Sequence, residues 1–412
     1  MAIPSRIHNF LVYWLTILSV FSLIFRRGSF VKVFDVLIVI IGILLIANPE
    51  SFIAIKKFFI KFKYAFFTII FLIIFIIFAQ LLSYALGNNI DINFEIFKNH
   101  GRLIFNVYTL FLVGFLISYN KKILFPVSWA IIFSPIIVLP AYWNLNEEFF
   151  ISGGRLTGFL QTPIIFGAWM MVVFLIGIGF FFTLQKKWQK TLLLLWLAII
   201  ANFILWAASR ASWLALIAAI FILITFYFLI GEKKKSGIIF LIFIFTFSVG
   251  YILLPSKDLK IKAWVLDRSK NLAESIVVLH PEKIQGQMHT TTLPNAVRFI
   301  SQNSMGSGFG DYTAMNLGIL NKGDTVSNSS YLELALYGGV GALFMFLLFL
   351  FGVGKEIRKI LLSRKLSDLE IVWIVACLAF LIDIFFTDGF LWRHTWFMLG
   401  VVIGIVHIVD IS

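Results

Sequence analysis

Residues 255–329 read PSKDLKIKAWVLDRSKNLAESIVVLHPEKIQGQMHTTTLPNAVRFISQNSMGSGFGDYTAMNLGILNKGDTVSNS, the one long segment of the chain too polar to cross a bilayer. Outward from it, in both directions, the sequence is a succession of apolar runs, each long enough to span lipid as a helix. The chain therefore divides into three parts, with spans in 1–254 and 330–412 and an extracytoplasmic loop at 255–329. The predicted fold class is an all-α polytopic membrane protein with about 12 transmembrane helices and a large, partly helical loop between spans nine and ten.

Composition agrees with that class and excludes others. The 412 residues are 60% hydrophobic and 13% charged, which is a bilayer-embedded composition; the mean hydropathy is +0.98. The 48 Phe rise together with Ile and Lys, so they read as lipid-facing bulk and carry no function. One cysteine, Cys377, sits inside an apolar run, which excludes a disulfide-stapled domain. The net charge of +14 (34 basic minus 20 acidic) lies mostly in short loops between spans, the pattern of membrane orientation and not of a nucleic-acid groove.

The expected spans are 10–25, 33–48, 64–86, 102–118, 123–141, 163–184, 191–207, 212–230, 237–254, 330–353, 370–387 and 395–411. The first lacks a small-residue cleavage site and reads as span one. With a cytoplasmic N-terminus, the inside loops hold Lys56, Lys57, Lys61 and Lys63, then Lys121 and Lys122, then Lys186, Lys187 and Lys190, then Lys233 to Lys235, and last Lys355 to Lys365. Only Arg26, Arg27 and Lys32 fall on the other side. The same alternation puts 87–101, 142–162, the tight turn at Ser209-Arg210, the long loop and 388–394 on the outer face.

Within the loop, AWVLDRSKNLAESIVVL at 263–279 has apolar residues at helical spacing and ends at Pro281. Pro294 suits the first turn of a second helix, LPNAVRFISQN, whose one charge is Arg298. The GSGFG at 306–310 has no preceding strand and reads as a turn rather than a phosphate-cradling loop. Arg155 follows a Gly-Gly just before a span, and Arg210 stands between two spans with almost no loop. A single arginine at a helix end is usually an interfacial anchor. Several facing one cavity could hold an anionic diphosphate, because guanidinium is always charged and its fork matches phosphate oxygens. Ser330 and Glu333 fit an S-x-x-E capping box, with general base as the other role open to Glu333; Ser327 and Asn328 suit either a turn or hydrogen bonding to a sugar.

RLTGFLQTP at 155–163, SRASWLAL at 209–216, an arginine and a G-x-G turn in a long outer loop, and S-N-S-S-Y-L-E-L leading to Y-G-G-V-G-A-L together resemble the O-antigen ligase and polymerase superfamily. The resemblance covers roughly residues 150–350 and rests on order and spacing. It implies about twelve spans, a large periplasmic loop between the ninth and tenth, and a multi-pass location in the bacterial inner membrane with a periplasmic active face. It also implies glycan transfer from an undecaprenyl diphosphate carrier without a metal or other cofactor. Arg210 and Arg298 would bind the donor diphosphate, Arg155 would assist or support the fold, and Ser327 and Asn328 would contact substrate. The partners implied are the lipid-linked oligosaccharide, membrane lipid and a chain-length regulator; nucleic acid is not among them.

Ligases of this superfamily carry a His-Asn pair where this chain has Ser327-Asn328. An unperturbed serine cannot deprotonate a sugar hydroxyl, so another outer-face group (His289, Asp311, His394 or Asp388) or leaving-group stabilisation must act. That departure puts a polysaccharide polymerase ahead of a ligase to lipid A core or protein. A transporter or flippase is the alternative of another class, and Asp35 and Asp383 inside apolar runs are its best support.

Overall fold

The structure, a computed structural model, describes residues 5–23, 30–85, 94–143, 151–152, 155–158, 160, 162–254, 265–267, 297, 300–302, 304–309, 329–363, 366–387 and 389–407. The α-helices among them include α1 Ser5–Ser22, α2 Phe30–Ala47, α3 Pro49–Lys61, α4 Lys63–Ala85, α5 Phe94–Tyr119, α6 Leu124–Phe133, α7 Pro163–Thr183, α8 Lys187–Ala207, α9 Arg210–Leu229, α10 Lys233–Ile252, α11 Ser330–Ser363, α12 Asp368–Asp383 and α13 Arg393–Val406. A two-residue hairpin, β1 Ile151–Ser152 and β2 Arg155–Leu156, pairs Ser152 with Arg155. The chain is an all-α polytopic membrane protein, and a helix falls at each of the twelve expected spans.

The number of crossings is less regular than twelve. Among the described residues, eight helices are long and apolar enough to cross a membrane, nine if α2 and α3 count as one bent span. Residues 10–20 and 393–406 form shorter apolar helices. The axis turns through 103° between α2 and α3. Pro49 causes this, since its ring disfavours helical backbone at Asn48, whose side chain instead accepts from the Glu50 N–H at 3.0 Å as a new helix begins. The stretch 49–61, expected as a loop, is thus α3. At 34 residues α11 is roughly 50 Å long by the helical rise, beyond one bilayer crossing, and non-helical backbone breaks it at Gly339. Most of the long loop, with nearly all of its two expected helices, lies outside the described residues.

Two compact units divide the chain. The first takes Met1–Ala54, Asn120–Ala273 and Leu366–Asp383, and the second Ile55–Tyr119, Glu274–Lys365 and Ile384–Ser412. In the first, α7 is apolar all round and buried from Ile165 to Phe180, packed on α6, α8 and α12. One end of this unit carries lysines and acids. Lys121 meets Glu370 at 2.9 Å, and Asp368 accepts from Lys235 at 2.9 Å and from the Tyr227 hydroxyl at 2.8 Å. Those contacts tie together helix ends that the sequence placed on the cytoplasmic side. Ser367 and Glu370 form a reciprocal capping box there, with Glu370 Oε2 2.8 Å from the Ser367 N–H and Ser367 Oγ 3.4 Å from the Glu370 N–H.

In the second unit, α4 packs on α11 and α5 on α13. The α5–α13 seam depends on small residues. A Cβ at Gly400 would lie 2.7 Å from the Leu110 carbonyl oxygen, and one at Gly404 would lie 2.8 Å from the Gly114 carbonyl oxygen. These G-x-x-x-G positions let two backbones touch, a source of packing energy that lipid cannot replace. Gly404→Leu should force the helices apart and lower stability by about 1–3 kcal/mol, read as a fall in the unfolding temperature of the detergent-solubilised protein. An unchanged unfolding temperature would contradict the seam.

Candidate functional site

The other end of the first unit gathers Arg155, the C-terminus of α8, the N-terminus of α9 and the C-terminus of α12. Only Ala208 and Ser209 separate α8 from α9. Ala208 takes the left-handed conformation (φ 48°, ψ 42°), which costs an L-residue about 1–2 kcal/mol. Hydrogen bonds offset that strain. The last carbonyls of a helix have no partner inside it, and here they find partners one by one. Arg155 Nε donates to Ala207 O at 2.8 Å and its Nη2 to Ala208 O at 3.0 Å. The Trp213 indole donates to Ile204 O at 3.1 Å, and the Ala208 N–H to Leu205 O at 3.0 Å. A guanidinium at this negative end of the helix dipole is also favoured electrostatically.

Ser209 then caps α9, its oxygen accepting from the Ser212 N–H at 3.4 Å. The Ser212 and Ser209 hydroxyl oxygens are 2.9 Å apart, and Ser212 Oγ is 2.7 Å from Asp383 Oδ1. Asp383 and Ser212 are fully buried. Gly167 on α7 makes room for this turn, since a Cβ there would come within 3.0 Å of Ser209 Cβ and 3.1 Å of Ser212 Oγ. Arg210, half-buried, is the first residue of α9 and follows directly from this frame. The S-R-A-S-W motif thus has a physical meaning: a cap, an arginine, a hydroxyl to a buried carboxylate, and an indole that reaches back across the break.

Arg155, for which the resemblance implied either assistance at the substrate or support of the fold, donates to the Ala207 and Ala208 carbonyls. Arg298, Ser327 and Asn328 lie outside the described residues, as do His289, Asp311 and Asp388. His394 is buried in the first turn of α13. Asp383, named with Asp35 as the best support for a transporter, accepts from Ser212. Sequence reasoning missed that pairing, although a carboxylate in an apolar run was the signal that could have found it.

Two readings around α11 are revised. Ser330 does not form a capping box with Glu333. Its N–H goes to the carbonyls of Ile384 and Thr387, its hydroxyl donates to Thr387 O at 2.9 Å, and it accepts from the Gly389 N–H. Glu333 instead accepts from the Tyr337 hydroxyl at 2.7 Å. The GSGFG segment does more than turn the chain, because it fills the break in α11. Ser307 N donates to Leu336 O and Gly308 N to Tyr337 O, both at 2.8 Å, and Val340 N donates back to Ser304 O at 3.0 Å. Phe309 is buried between the rings of His100 and Tyr337, with centroids 4.7 and 4.8 Å away.

No protein-family model matches this chain, and no curated protein or solved structure matches it.

Proposed function

We propose that this chain is a polysaccharide polymerase of the bacterial inner membrane. It transfers a growing glycan from undecaprenyl diphosphate to a hydroxyl of the sugar unit on another carrier lipid, at the periplasmic face. The single observation that carries the reading is Arg210, a permanently charged group set at the head of a span by a frame of hydrogen bonds, within the S-R-A-S-W motif that the superfamily resemblance rests on. Arg298 takes the matching role by resemblance, and Ser327 and Asn328 contact the sugar.

The chemistry asks little of the protein beyond positioning and charge. The acceptor oxygen attacks the anomeric carbon, the bond from that carbon to the diphosphate oxygen breaks, the electron pair leaves with the diphosphate, and the hydroxyl proton passes to the departing diphosphate oxygen. Guanidinium groups stabilise the charge that develops there, in a site where low dielectric strengthens them. Attack from the face opposite the leaving group inverts the anomeric centre.

Purified protein in nanodiscs, given undecaprenyl-diphosphate-linked repeat units and no nucleotide, is expected to produce a ladder of lengthening chains. Movement of the lipid-linked unit across the bilayer without elongation would replace the enzyme with a flippase. Full-length polymer accumulating on the carrier in cells that lack the chain would replace the polymerase with a ligase, whereas single repeat units would accumulate for a polymerase.

A further inference from the structure

Arg210 leaves the backbone between two serines, and both are tied to a carboxylate far away in the sequence. Ser212 has one hydroxyl proton and two oxygens in reach, Asp383 Oδ1 at 2.7 Å and Ser209 Oγ at 2.9 Å. The Ser212 hydroxyl donates its one proton to Asp383 Oδ1 across the shorter distance, which leaves the Ser209 hydroxyl to donate to Ser212. The Ser209 oxygen then faces the N–H of Ser212 and caps α9. One carboxylate thus fixes the direction of a short hydrogen-bond relay that brackets Arg210 on both sides.

We propose that Asp383 is a positioning residue for Arg210, acting through Ser212 and Ser209. This rests on the reading of Arg210 as the ligand of a lipid-linked diphosphate. Burial supports the assignment: Asp383 is 0% and Ser212 0% exposed, so the relay is shielded from exchange with water. The backbone on the α8 side is held independently by Arg155 and Trp213, so slack introduced at Ser212 would be felt at Arg210 rather than dispersed along α8. Binding groups must be held to about 0.5 Å to act at full strength. Removing the relay leaves the arginine in place and loosens its aim.

The test is binding of undecaprenyl diphosphate to the full-length protein in nanodiscs, followed by native mass spectrometry, with unfolding temperature measured in parallel. Ser212→Ala and Asp383→Ala should each weaken binding about tenfold, as expected of a misplaced contact. Asp383→Asn should stay near wild type, because the amide oxygen still accepts from Ser212. In an Arg210→Ala background, Asp383→Ala should add no further loss, since a residue that acts only through Arg210 has nothing left to act on. Full binding by Ser212→Ala and Asp383→Ala, loss by Asp383→Asn equal to that by Asp383→Ala, or additive losses with Arg210→Ala would each overturn the proposal. Should Asp383→Ala fail to fold, Ser212→Ala and Asp383→Asn decide it. Wild-type protein that does not bind the lipid would instead remove the diphosphate reading itself.

Discussion

Arg210→Ala protein should reach the membrane at wild-type abundance and make no long-chain polysaccharide. Loss of one preorganised charged donor at a developing anion lowers turnover by about 10²–10³-fold, enough to empty the upper part of a chain-length ladder. Abundance should hold because the turn around Arg210 is built by its neighbours. Ser209 supplies the cap, Ser212 the bond to Asp383 and Trp213 the link to Ile204. Arg210→Lys keeps the charge and loses the planar fork, so partial recovery is expected. Arg155→Ala provides the contrast. Its guanidinium holds Ala207 and Ala208, so its loss should appear as a lower unfolding temperature. A normal ladder from Arg210→Ala protein at normal abundance would refute the diphosphate role, and Arg298→Ala is expected to give the same null phenotype.

Gly306→Ala should unfasten the junction of 304–309 with α11. Gly306 has φ +81°, and a Cβ there would sit 2.3 Å from Gly339 N and 2.8 Å from Tyr337 O. Both neighbours are backbone and neither can swing aside. The positive φ alone costs about 1–2 kcal/mol for an L-residue. Relieving the overlap also means giving up the bonds from Ser307 N and Gly308 N, each worth about 1 kcal/mol and more where the group is left buried without a partner. The sum, about 3–5 kcal/mol, belongs to the severe class of substitutions. Hydrogen exchange should quicken at the Ser307, Gly308 and Val340 amides. Gly354→Ala, on the same helix where a Cβ meets nothing within 4 Å, should be neutral or mildly stabilising. Unchanged exchange in Gly306→Ala would show that the segment is not held by these bonds.

The two glycine-rich motifs illustrate how far local reading reaches. GSGFG was legible as a departure from regular structure, because glycines at close spacing favour turns. Its partner, the break at Gly339, was not legible. YGGVG sits inside an apolar run, and periodicity alone continues the helix through it. The S-x-x-E pattern makes the same point. It occurs at Ser330–Glu333 and at Ser367–Glu370, and only the second becomes a capping box. At Ser330 the carbonyls of Ile384 and Thr387 compete for the N–H and win. At Ser367, Lys121 completes the arrangement by pairing with the other oxygen of Glu370.

By itself, the sequence determined the all-α membrane class, the position of nearly every helix among the described residues and the sorting of lysines to one end of the first unit. Each of these follows from a rule that acts along the chain: in lipid a backbone must satisfy its own hydrogen bonds, and only a helix does so within one segment. Tertiary structure alone decided which polar groups meet. Asp383 accepts from a serine 171 positions away, and Arg155 donates to carbonyls 52 and 53 positions away. Such pairs depend on which helices become neighbours, and that choice rests on close packing at residues such as Gly114, Gly167, Gly400 and Gly404, whose spacing in the sequence does not say which helix each will meet.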